Sequence, residues 1–118
     1  MKLKDAIMAF SQSEKIKAGL IWVSQSLQFL ETLPEPEKRG AEKTSRLIID
    51  MIVHEIQLGK TFTNGLSWEE VTKHIDKAVA MINSGVASEA TVHLTQALSQ
   101  VTSIGHRSMS LLKAEKIL

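Results

Sequence analysis

Residues 47–58 read LIIDMIVHEIQL, and the spacing of their apolar side chains decides the fold class. At about 100° per residue, Ile48, Met51, Ile52 and Glu55 fall on one side of a helix with Leu47 and Leu58 at its flank, while Ile49, Val53 and Ile56 lie round the back. A surface helix covers one neighbour with an apolar stripe somewhat over ~100° wide, and this arc is roughly twice that. The segment therefore reads as the inner half of a helix that packs into its own domain on one side and is covered by something else on the other.

Upstream, Pro34 and Pro36 disfavour helix just before them, while Glu35 and Glu37 suit a first turn, so this helix is expected from Pro36 to Leu58 with Gly59 as its terminator. The favourable i, i+4 pairs Glu35–Arg39 and Glu42–Arg46 give it a wet first half. Ahead of the prolines, Ile16, Leu20, Val23, Leu27 and Leu30 recur at three and four residues, a bundle-type core stripe. The capping-box spacing of Ser11 and Glu14 places the main start of this first helix near Ser11, with Lys2 to Phe10 as a preceding or continuous extension.

Downstream, Asn64-Gly65 signals a turn, and Phe62 is expected to fold back over the bundle end. Ser67 and Glu70 repeat the capping spacing ahead of a third helix whose core face is Trp68, Val71, Ile75, Ala78, Val79 and Ile82, closed by Ser84-Gly85. Ser88 opens a fourth helix of about 25 residues with Ala90, Leu94, Ala97, Leu98, Val101, Gly105, Met109 and Leu112 inward. Four amphipathic helices on short turns predict an all-α, antiparallel up-down-up-down four-helix bundle, residues 1–118 forming one domain.

Composition narrows the function classes. Hydrophobic residues at 43% and charged residues at 23% are those of a globular chain. With 14 basic and 13 acidic side chains, the net charge of +1 gives no general attraction to a polyanion, so a nucleic-acid partner is not expected. There is no cysteine, which removes disulfides, thiolate nucleophiles and Cys-based metal sites and suits a reducing cytoplasm. Asp5 interrupts the N-terminal apolar residues, so no signal peptide is read, and no stretch resembles a membrane span.

The first helix repeats the oddity of the second. Opposite its core stripe it carries Ala18, Trp22, Gln25, Phe29 and Leu33. Two neighbouring helices that each have a second apolar side point to a subunit interface, so Ala18, Trp22, Gln25, Phe29, Leu33, Ile49, Val53 and Ile56 are the candidate contacts of a two-fold homodimer. The outward strip of the fourth helix (Thr91, Thr95, Gln96, Ser99, Thr102, Ser103) is polar but uncharged, and reads as an ordinary solvated face.

A metal or small-ligand site is the alternative. Asp50–His54 and Glu70–His74 are i, i+4 pairs that fall toward the same bundle end, and Glu55 sits on an apolar side, so His54, Glu55, Glu70 and His74 are the candidate ligands. Neither the Glu-x-x-His of di-iron bundles nor His-Glu-x-x-His is present. His93 and His106 are about 20 Å apart along one helix and cannot share a site. Gly59-Lys60-Thr61 lacks the glycine and the preceding strand of a phosphate loop, and nothing resembles a nucleophile elbow. The expectation is a cytoplasmic, non-enzymatic interaction protein, an adaptor or regulator without a cofactor, that binds itself and another protein.

Overall fold

The computed structural model describes residues 2–63 and 66–117. Four α-helices make up the fold: α1 (Leu3–Leu30), α2 (Glu37–Phe62), α3 (Trp68–Asn83) and α4 (Ala87–Ala114). Each helix packs against two others in the cyclic order α1, α2, α3, α4, which leaves α1 and α3 on one diagonal. Neighbours run antiparallel. Along α1, Gln12 reaches Glu55, Gly19 lies on Ile52 and Ser26 bonds to Ser45, so one helix rises as the other falls. Gly59 meets Trp68 at one end of the α2–α3 pair, and Arg46 lines a depression with Ile82 and Asn83 toward the other.

One hydrophobic cluster takes residues from all four helices. Ile16, Leu20, Val23, Leu27 and Leu30 of α1 are all buried, as are Trp68, Val71, Ile75, Ala78 and Ile82 of α3. In α4 the expected face is buried with Ile104 and Ser108 added, while Leu98 and Met109 sit half-buried at its edges. Three helices therefore point the way their periodicity demands.

The fourth does not. The buried side of α2 is Ser45, Ile49, Ile52, Ile56 and Gly59, spaced alternately four and three apart, the seam of a helix packed nearly parallel to its neighbours. Relative to the face read from Ile48, Met51, Ile52 and Glu55, the helix is turned by about 70°. Ser45 and Gly59 carry no hydrophobic signal, yet both are required inside. Ser45 Oγ lies 2.9 Å from Ser26 Oγ, which satisfies two hydroxyls across the α1–α2 contact. Gly59 lies under the Trp68 indole, where an added Cβ would come within 2.9 Å of Cε2 and Cζ2.

That packing also moves the helix boundary. Gly59 does not end α2; the helix runs through it to Phe62, because the contact made by the bare glycine outweighs its poor helix propensity. Thr63 closes the helix, donating both its N–H (3.0 Å) and its Oγ1–H (2.6 Å) to the Gly59 carbonyl, and its Oγ1 accepts from Trp68 Nε1 at 2.9 Å. Phe62 does not fold over the bundle end and stays half exposed. The Asn64-Gly65 turn lies outside the described residues.

The helix starts differ in a common way. α1 is continuous from Leu3, with Ser11 exposed inside it and Glu14 paired to Lys17 at 3.1 Å rather than to a cap. Ser67 does occupy the N-cap position of α3, but its side chain makes no capping bond, and Glu70 pairs with Lys73 at 3.1 Å. α4 begins at Ala87, one residue before Ser88. Gly85 follows α3 with φ +81°, a left-handed geometry that glycine adopts without strain.

Candidate functional site: an apolar groove between α1 and α2

The side of the bundle away from α3 and α4 carries the anomaly. Trp22 is 68% exposed, Phe29 64%, Leu47 60% and Met51 61%. A lone exposed apolar residue is ordinary, whereas four large ones on two adjacent helices form a patch. Trp22 and Phe29 repeat at i, i+7 on α1, and Leu47 and Met51 at i, i+4 on α2, so each pair lies along one line of its helix. Ala18 and Leu33 are half-buried beside the two rings, and Gln25 is exposed between them.

Between the helices the patch deepens into a groove of about 540 Å³. Gly19 permits it: a Cβ there would meet Ile52 Cγ1 at 3.0 Å, so α1 and α2 approach closely and Ile16, Gly19 and Ile52 form a low floor. Trp22 stands as one wall, with Ile48 and Met51 as the other. Asp50 and His54 sit at the lip.

One end is closed by a polar brace. Gln12 Nε2 donates to the Glu55 carbonyl oxygen at 2.9 Å and to Glu55 Oε2 at 3.1 Å, and Lys15 Nζ lies 3.4 Å from the same carboxylate oxygen. The Gln12 hydrogen bond is the main reason that Glu55 titrates below the ordinary carboxylate value. Partial burial opposes it, and Lys15 adds to the lowering. Glu55 is thus a charged strut between α1 and α2, held at the groove's edge.

Of the α2 residues expected at the outward side, Ile49 and Ile56 are in the core, at 0% and 1% exposure, and Val53 is half-buried against it. The 70° turn of α2 is the reason: it carries them inward and brings Leu47 and Met51 out in their place. Of the α1 residues named with them, Trp22 and Phe29 are the most exposed large apolar side chains described, Gln25 is exposed, and Ala18 and Leu33 are half-buried. Met51, Leu47, Ile48 and Gly19 are missing from the residue-level expectation. The signal that finds them is the 45-49-52-56-59 spacing, which fixes the inward line once Ser45 and Gly59 are admitted to it.

The alternative ligand set does not assemble. Among the described residues no three His, Asp or Glu side chains are placed to hold a metal ion. Glu55 is engaged by Gln12 and Lys15, Glu70 by Lys73, and His54 is exposed at the groove lip. His74 is half-buried, and its Nδ1, like that of His93, is enclosed without a hydrogen-bond partner. The i, i+4 pairs are therefore separate surface features on two helices.

No helix among the described residues is long and apolar enough to cross a membrane. No protein-family model, curated protein or solved structure matches this chain.

Proposed function

We propose that this chain is a non-enzymatic interaction protein of the cytoplasm, an adaptor or regulator, that self-associates as a homodimer through the outward side of α1 and α2. One observation carries the reading. Trp22, Phe29, Leu47 and Met51 are each at least 60% exposed on two neighbouring helices whose other sides already fill a core. Covering apolar surface is worth about 25 cal/mol per Å², and large aromatic anchors are the side chains on which interfaces concentrate their energy. An absent cysteine count and a balanced charge support a protein that recognises by shape rather than by redox chemistry or a strong field.

The test is mass against concentration. Size-exclusion chromatography with light scattering from about 1 to about 100 μM, a range that spans the affinities of transient dimers, is expected to move from one chain toward two. The double variant Trp22→Ala, Phe29→Ala is expected to remain a monomer with unchanged helicity. A wild-type monomer across the whole range overturns the proposal.

The groove favours a second reading, a small apolar ligand seated between Trp22 and Met51. Its volume of about 540 Å³ lies within the ordinary span of ligand sites, about 300–1,000 Å³. That reading predicts monomeric protein whose melting temperature rises with ligand and not with protein concentration.

A further inference from the structure

We propose that the hollow between α1 and α4 binds a small organic anion, a monocarboxylate carried on an apolar body. This seam of α1 is the one away from the Trp22 groove, so the site stands whether or not the chain self-associates. The hollow holds about 220 Å³, below the ordinary span of ligand sites of about 300–1,000 Å³, which limits its occupant to roughly one ring with its carboxylate. Gly105 shapes it: a Cβ there would stand 2.8 Å from Ser13 Oγ, so the two helices approach closely at that level. Val101 gives an apolar floor, and half-buried Phe10 and Met109 give apolar walls. The rim carries Lys17, His106 and Lys113 against the single carboxylate of Glu14. Lys17 is paired with Glu14 at 3.1 Å, whereas Lys113 has no ion-pair partner among the described residues. Ser13 and Thr102 donate their hydroxyl hydrogens to the Phe10 and Leu98 carbonyls, both at 2.8 Å. The donors left for a ligand are therefore the N–H groups of Lys113 and His106, which suit a group that only accepts.

The distribution of charge agrees. Because Ser13 meets Gly105 on antiparallel helices, Lys4 stands level with Lys113 to within about 1.5 Å. This end of the bundle thus gathers Lys2, Lys4, Lys113 and Lys116 against Asp5 and Glu115. Among the described residues none of these four lysines is ion-paired, while the α3 acids at the same end, Glu69 and Glu70, are taken by Lys60 and Lys73. A cationic end beside a hollow draws in an anion and disfavours a cation of the same shape. A lysine in the last turn of α4 also complements the helix dipole. That accounts for the sign of Lys113 but not for the apolar-walled hollow it borders.

The experiment titrates benzoate, benzylamine and benzyl alcohol into the whole chain at constant ionic strength and follows the backbone amides by two-dimensional NMR. Benzoate is expected to saturate with its largest shifts at Ser13, Val101, Gly105 and Met109, and to bind about tenfold tighter than either analogue. Lys113→Glu should weaken benzoate about tenfold. Lys4→Glu makes the same change of charge at the same end but away from the rim, and should stay within about twofold of wild type. The proposal is overturned if benzoate gives no saturable shift, if the three probes bind alike, if the shifts centre on Trp22, or if the two variants lose affinity equally. Should Lys113→Glu lose the wild-type helicity, the three probes on the wild-type chain still decide.

Discussion

If the chain self-associates as proposed, Trp22→Ala is expected to separate association from folding, because this indole is 68% exposed in the single chain. An aromatic side chain of this size covers on the order of 150–250 Å² when fully buried, so roughly 100–170 Å² of Trp22 remains available to a partner. At about 25 cal/mol per Å² that surface is worth about 2.5–4 kcal/mol if wholly covered. Two-fold symmetry counts it twice, and half coverage at a real interface brings the dimer's loss back to about 2.5–4 kcal/mol, a factor of about 10² to 10³ in Kd. The single chain loses only the third of the side chain that is already covered, about 1–2 kcal/mol. Trp68→Ala is the reference. That indole is 2% exposed and hydrogen-bonded to Thr63, and its loss is expected to cost about 3–5 kcal/mol of folding free energy at any protein concentration. Urea unfolding followed by circular dichroism, at protein concentrations well below and well above the dimer Kd, distinguishes the two. Trp22→Ala should fall short of wild type chiefly in the concentrated series, Trp68→Ala equally in both. If Trp22→Ala destabilises the dilute protein as much as Trp68→Ala does, the ring supports the core and no free face exists.

Three further predictions probe the packing beneath this face. Gly59→Ala, which drives a Cβ to 2.9 Å from the rigid Trp68 indole, should lower stability by about 1–3 kcal/mol despite its better helix propensity, whereas Gly40→Ala, with nothing within 4 Å, should raise it by about 0.5–1 kcal/mol; thermal melts of the two variants check the opposite signs. Gly105→Ala puts its Cβ 2.8 Å from Ser13 Oγ and is expected to cost about 1–2 kcal/mol, of which Ser13→Ala in the same chain should recover a large part, so simple additivity in the double-mutant cycle refutes the contact. Because Glu55 is held below the ordinary carboxylate value, its contribution is complete above the unfolded-state titration near pH 4.3 and is lost as pH falls through the lower folded-state value. Glu55→Gln should accordingly flatten the acid limb of a stability-against-pH profile, and an unchanged acid limb counts against the Gln12–Glu55–Lys15 brace.

Much of the bundle can be read from spacing alone. The i, i+3 and i, i+4 recurrence of Ile16 to Leu30, Trp68 to Ile82 and Ala90 to Leu112 names three core faces that the structure buries, and Pro34, Pro36 and Gly85 mark two of the connections. The presence of a second apolar side was equally legible on α1, where Trp22 and Phe29 interrupt no core position. The capping boxes were not reliable. Ser11-x-x-Glu14 fits the pattern, but a helix already supported by buried Ala6 and Ala9 continues straight through it. A metal cluster suggested by His54, Glu55, Glu70 and His74 fails for a similar reason: spacing along each helix says nothing of distance between helices.

The sequence by itself determined that there are four helices, the order in which they meet, and the excess of apolar surface on the first two. Only the tertiary structure decided how α2 is turned. With isoleucine at 48, 49, 52 and 56, the segment offers nearly equal apolar arcs in several directions, and hydrophobicity cannot choose among them. The choice is made by complementarity across the gap: Ser45 to the Ser26 hydroxyl, bare Gly59 to the flat Trp68 ring, and Ile52 to the bare Gly19. These contacts hold Ile49 and Ile56 inside and leave Leu47 and Met51 outside beside Trp22.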